Sequence, residues 1–162
     1  MNVGNVPCKK LHLDEYYELR QYLGAAYLAT DSLDITANIP LSDEVFSDEK
    51  VQRITQICRN TICFANDLFS LGKEMAHSHL GAEFNLVTIL VRERDLSIES
   101  AIYEAVAIHD QSVENFIKIS EQIYRFDEKT NRLLEKYVAA MGFLMKGNID
   151  WSTKDIIRYP HI

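Results

Sequence analysis

Between Asp48 and His77 the apolar residues Val51, Ile54, Ile57, Cys58, Ile62, Ala65 and Phe69 recur at steps of three and four, so they share one side of a helix. No proline interrupts the stretch, and a single long helix is predicted from about Asp48 to His77. The rest of the chain agrees with that reading. Its 162 residues hold only 6 Gly and 3 Pro, against plentiful Leu, Ile, Ala and Glu, a balance that favours helices joined by short loops. No β-type alternation survives for more than a few residues, so an all-α fold is expected.

A first helix is predicted from about Asp14 through Tyr17, Leu19, Tyr22, Leu23 and Tyr27 to about Leu33. Residues 34–48, with Pro40 and two Ser-Asp-Glu runs, read as a loop carrying a short helical turn. After a break at His79–Gly81 a helix should hold Asn85 to Arg94, with Asn85 as its cap. Ser97 opens another, striped by Ile98, Ala101, Ile102, Ala105, Phe116, Ile117 and Ile123. The last uses Leu133, Leu134, Tyr137, Val138, Met141 and Leu144, and Gly147-Asn148 should stop it. Without repeats or a Pro/Ser-rich linker, residues 1–162 are read as one α-helical domain.

A formal net charge of −7 disfavours a nucleic-acid partner and provides no polybasic surface for anionic lipid. An anionic substrate would need a local cationic patch or metal ions. Cys8, Cys58 and Cys63 are odd in number and lack metal-pair spacing, so they are read as reduced packing residues. No apolar run is long enough to span a bilayer, and residues 1–10 lack the apolar core of a signal peptide. A soluble, cytoplasmic protein is the expectation.

The chemistry concentrates in Asn66-Asp67-Leu68-Phe69-Ser70-Leu71-Gly72-Lys73-Glu74. Asn66, Ser70 and Glu74 stand at i, i+4 and i+8, each step advancing about 6 Å and drifting only ~40° around the axis. An amide oxygen, a hydroxyl and a carboxylate can therefore converge on one hard cation, and such a donor set suits Mg²⁺. Lys73 adds a cation that a metal-held diphosphate needs. Polar residues dotted along a helix also make an ordinary solvated face, but the apolar stripe beside this one argues against it. His77 and His79, two apart, do not share a helix face and give little support to a zinc site.

The run resembles the Asn-Asp-x-x-Ser-x-x-Lys-Glu second metal motif of class I terpene synthases at Asn66, Asp67, Ser70, Lys73 and Glu74. Three other segments are similar to the bacterial members. Gly147 to Thr153 with Arg158-Tyr159 resembles their Trp-containing segment and terminal Arg-Tyr pair, which closes over the bound diphosphate. Gly81 to Val87 resembles their Gly-x-x-x-Asn-x-Val segment. Arg20, 46 residues before Asn66, falls where the family places a diphosphate-sensing arginine, and Gly24 falls at the effector position, where a helix break turns a carbonyl toward substrate. Leu23 replaces the Asp usual between them. The plainer alternative is that Gly24 allows close helix packing and Arg20 pairs with Glu15 or Glu18.

The resemblance implies part of the isoprenoid synthase helical fold, equivalent to the C-terminal half of a synthase. It implies Mg²⁺ on Asn66, Ser70 and Glu74. Arg20, Lys73, Arg158 and Tyr159 become diphosphate donors, Gly24 the effector, and Asp67 a supporting residue. The reaction implied is ionisation and cyclisation of a prenyl diphosphate such as farnesyl diphosphate. The family's aspartate-rich first motif should lie upstream of Arg20, where nineteen residues contain no such cluster. The chain alone is therefore expected to be an inactive, truncated or split form, associating as a homo-oligomer or with a complementing N-terminal half through apolar faces around Tyr22, Tyr27, Ile62 and Cys63. A competing reading is a non-catalytic helical subunit keeping a relic Mg²⁺–diphosphate site.

Overall fold

The computed structural model describes residues 11–77 and 81–155. Among these every regular element is helical: α1 (Leu13–Leu23), α2 (Ala26–Asp31), α3 (Leu33–Thr36), α4 (Asp43–Phe46), α5 (Glu49–His77), a 3₁₀ turn (Gly81–Phe84), α6 (Leu86–Arg94), α7 (Ile98–Ser120), α8 (Glu128–Asp150) and a π-helical turn (Trp151–Asp155). No helix among them is long and apolar enough to cross a membrane. The long helix predicted from the apolar stripe is α5, and α1, α2, α6, α7 and α8 all pack on it.

Two apolar clusters lie along α5. Its N-terminal half puts Val51, Ile54, Ile57 and Cys58 against Leu33, Ile39 and Val45, and against Phe116, Leu134, Tyr137 and Met141 of α7 and α8. Its C-terminal half puts Phe64 and Leu71 against Tyr16 of α1, Leu86, Val87, Ile89 and Leu90 of α6, and Ala101 and Ala105 of α7. The two alanines are fully buried, which lets α7 approach closely. Helix starts follow side-chain caps: Ser97 accepts from the Ser100 N–H, Asp127 from Thr130, and Asn85 from Val87 as expected. Leu90 is completely enclosed. Leu90→Ala should lower stability by about 2–5 kcal/mol, read as a fall in the urea midpoint; a loss under about 1 kcal/mol would show that α6 is not part of the cooperative core.

Three boundaries differ from the sequence expectation. The first predicted helix is broken after Leu23, because Ala25 sits in the left-handed region at φ 59° and redirects the chain into α2. Helix α7 ends at Ser120, so Ile123 reaches the first cluster from the following turn. Gly147-Asn148 does not stop the last helix. Helix α8 runs through both to Asp150, held there by packing on α5 and by the Asn148 amide donating to the Ile62 carbonyl at 3.3 Å.

Candidate metal and diphosphate site

The C-terminal half of α5 carries the motif residues on the side facing α1 and the start of α6. Ser70 is buried, Asn66 and Glu74 are partly buried, and Lys73 is exposed. The Ser70 hydroxyl donates to Glu74 Oε1 at 2.6 Å, so two of the three candidate ligand oxygens already lie together. That separation is close to the ~3 Å edge of an octahedron with 2.1 Å bonds. Together with the Asn66 amide oxygen one turn earlier on α5, the donors are all oxygen, with one formal negative charge, a set that suits a divalent cation such as Mg²⁺. Among the described residues no group of three His, Cys, Asp or Glu side chains could hold a metal, which leaves this mixed amide, hydroxyl and carboxylate set as the candidate.

Arg20 is brought to the same place from α1. Its Nη2 donates to Asn66 Oδ1 at 3.2 Å, while Nε and Nη2 both donate to Asp67 Oδ1 at 3.0 and 2.6 Å. The ion pair recorded for Arg20 is with Asp67, at 2.6 Å. Asp67 is 1% exposed, and its other oxygen accepts from the Tyr16 hydroxyl at 2.6 Å and the Leu86 N–H at 2.8 Å. Burial pushes the Asp67 carboxyl above the usual carboxylate range although Arg20, Tyr16 and the Leu86 amide all pull it down. Asp67 thus supports Arg20 and the start of α6.

Gly24 stands behind Arg20. A Cβ there would lie 2.8 Å from Arg20 Nη1 and 2.8 Å from Cys63 Sγ, so a side chain at position 24 would have to displace the Arg20 guanidinium or the Cys63 thiol. The positive φ that makes the break belongs to its neighbour Ala25. Cys63, expected on an exposed apolar face, is 1% exposed beneath this contact, with its thiol pushed up to about 11 by burial. Cys58 is likewise buried, its thiol pushed up to about 12. Both cysteines are packing residues. Arg158, Tyr159, Cys8 and His79, and the side chain of His77, lie outside the described residues.

Two participants escaped the sequence reading. Tyr16 stands at i−4 from Arg20 on α1, a signal that they share a face, but its partner is 51 residues away. Asn85 was legible as a cap. Its second contact, Nδ2 donating to Glu74 Oε2 at 3.0 Å, depends on how α6 docks.

The fold matches 2-methylisoborneol synthase from Streptomyces coelicolor A3(2), solved in complex with Mg²⁺ and 2-fluoroneryl diphosphate, at a TM-score of 0.81 and 21% identity over 93% of this chain and 45% of that one. It matches α-eudesmol synthase at 0.75 and 24%, over 88% and 46%. The helices are therefore those of the class I terpene synthase fold. In sequence the chain is 34% identical to (+)-T-muurolol synthase of Roseiflexus castenholzii over 137 residues, which make up 85% of this chain and 41% of that protein. It is 32% identical to (+)-eremophilene synthase of Sorangium cellulosum over 143 residues, 87% and 41% respectively. The chain thus spans about two fifths of the length of these curated relatives. A family model described as terpene synthase family 2, C-terminal metal binding, matches residues 7–115, and the chain belongs to that family.

Proposed function

We propose that these 162 residues form a single domain equivalent to the C-terminal half of a class I terpene synthase, and that it binds a prenyl diphosphate through Mg²⁺ for ionisation and cyclisation in the complete enzyme. Farnesyl diphosphate is the favoured substrate, because the curated relatives include a (2E,6E)-farnesyl diphosphate cyclising synthase. The observation that carries the reading is the delivery of the Arg20 guanidinium from α1 onto Asn66 and Asp67, one helical turn before the Ser70–Glu74 oxygen pair on α5.

Asn66 Oδ1, Ser70 Oγ and Glu74 would hold the metal. Bound there, Mg²⁺ supplies Lewis-acid stabilisation of the departing diphosphate. Arg20, held by Asp67 with one Nη2 hydrogen bond on Asn66, is positioned to turn its planar fork to phosphate oxygens. Lys73, exposed on the neighbouring turn position, adds a point charge. Arg158 and Tyr159 are proposed as further donors and Gly24 as effector. Leu19, Tyr22, Leu23, Tyr27 and Leu28 are all well exposed. They form a surface for a complementing N-terminal half or a second copy of this chain.

Titration of preformed Mg²⁺–diphosphate into the protein by calorimetry tests the site. Glu74→Gln should weaken binding at least tenfold, about 1.4 kcal/mol, because the single formal charge of the donor set is lost. An unchanged isotherm removes Glu74 from the site. A wild-type chain that takes up neither Mg²⁺ nor diphosphate is a relic and not a working half.

A further inference from the structure

We propose that Asn85 is a positioning residue for the metal triad, its side-chain amide clamping the Glu74 carboxylate and so making cation affinity depend on how α6 docks against α5. The inference rests on the metal-binding reading of Asn66, Ser70 and Glu74 and goes beyond the capping role that the sequence suggested.

Asn85 is 0% exposed, and every polar atom of its side chain is engaged. Oδ1 accepts from the Val87 N–H at 3.0 Å, closing the first turn of α6. Nδ2 donates one hydrogen to the Asp67 carbonyl at 2.7 Å and the other to Glu74 Oε2 at 3.0 Å. The neighbours fix the amide's orientation, since the Val87 N–H requires an acceptor and a carbonyl and a carboxylate require donors. Only a primary amide offers one acceptor and two donors in this geometry. Asp keeps the cap but sets a second carboxylate against Glu74. Ser keeps the cap and cannot reach Glu74.

The consequence for Glu74 follows from its length. A surface glutamate has three rotatable bonds and loses rotamer freedom when it binds a cation. Here Oε1 is held by Ser70 at 2.6 Å and Oε2 by Asn85, so that loss is already incurred in the fold and the carboxylate is preorganised. The clamp is anchored at both ends, because the Leu86 N–H also donates to Asp67 Oδ2, the carboxylate that holds Arg20. One buried junction therefore positions both the candidate metal ligand and the candidate diphosphate donor.

Two measurements decide the matter. In calorimetric titration with Mg²⁺–diphosphate, Asn85→Ser should bind at least tenfold more weakly than wild type. Ser97→Ala, which removes a helix cap from α7 away from the site, should lose stability and keep its affinity. Equal affinity of Asn85→Ser and wild type overturns the proposal. So does a parallel loss in Ser97→Ala, which would trace the effect to stability alone. The second measurement needs no metal and no change at Asn85. In ¹H–¹⁵N spectra of the metal-free protein, Glu74→Ala should shift the Asn85 side-chain amide and speed its hydrogen exchange, whereas Glu83→Ala, at an exposed position, should leave it alone. An Asn85 amide indifferent to Glu74→Ala overturns the clamp even if Asn85→Ser fails to fold. If the wild-type chain takes up no Mg²⁺–diphosphate, the metal-binding reading fails separately, and the spectrum still judges the Asn85–Glu74 contact.

Discussion

Asp67→Ala is expected to lower the unfolding free energy by about 3–5 kcal/mol, the range for breaking a buried ion pair by deleting one partner. The substitution removes the acceptor for Arg20, for the Tyr16 hydroxyl and for the Leu86 N–H in one step. Arg20, only 11% exposed along its side chain, would keep a charge that no working pH removes. Out of a typical 5–15 kcal/mol, such a loss leaves a marginal fold. The intact pair is not itself a large net stabiliser, since burial already pushes the Asp67 carboxyl upward against its partners. The cost comes from the orphaned cation. Replacing both charges, Asp67→Ala with Arg20→Met, should therefore recover a substantial part of the loss. Urea unfolding at neutral pH measures both. A single-variant loss below about 1 kcal/mol, or a double variant less stable than the single one, would contradict this account.

The long helix α5 was legible because a buried stripe imposes its period on the sequence, and the Ser70–Glu74 contact was legible because i, i+4 is a local relation. The break after Leu23 was not. Leu19, Tyr22, Leu23 and Tyr27 continue an apolar period across it, all are exposed and Tyr22 meets Tyr27 across the break, and period does not report continuity. Alanine at position 25 is a strong helix former by propensity, so nothing local announces its positive φ, after which α2 packs on α5. At Gly147-Asn148 the error ran the other way. A glycine ends a helix only when the chain turns left-handed there, and tertiary contacts carry α8 onward. Asp67 was read as a supporting residue, but its partners are 47 and 51 residues distant. No spacing rule reaches that far, and only the family resemblance linked Arg20 to the motif.

The remaining large effect concerns the chain by itself. Purified residues 1–162 should turn over farnesyl diphosphate negligibly and should associate in solution. The donors identified here account for one cation and part of a diphosphate, while the relatives are more than twice as long as the matched segment. Ionisation of an allylic diphosphate needs the leaving-group charge to be compensated in an enclosed, water-excluded site. Here Leu19, Tyr22 and Leu23 stand at i, i+3 and i+4 of α1 with exposures of 46%, 60% and 62%. Tyr27 of α2, 38% exposed, meets Tyr22 with ring centroids 5.3 Å apart, and the next two helices also expose Leu28 at 70% and Ile35 at 81%. By the size of these side chains the bare area is several hundred Å², at or above the largest patch usual on a soluble monomer. At roughly 25 cal/mol per Å² its burial favours association by several kcal/mol, before the entropic cost of bringing two bodies together. Light scattering after gel filtration should report a dimer or larger species. Leu23→Lys with Leu28→Lys should shift it toward monomer, because each places a charge where an apolar side chain was to be covered. A wild-type chain that stays monomeric at high concentration contradicts the association. Measurable cyclisation by the purified chain contradicts the requirement for a second half, and restored turnover on adding a helical segment with an aspartate-rich motif supports it.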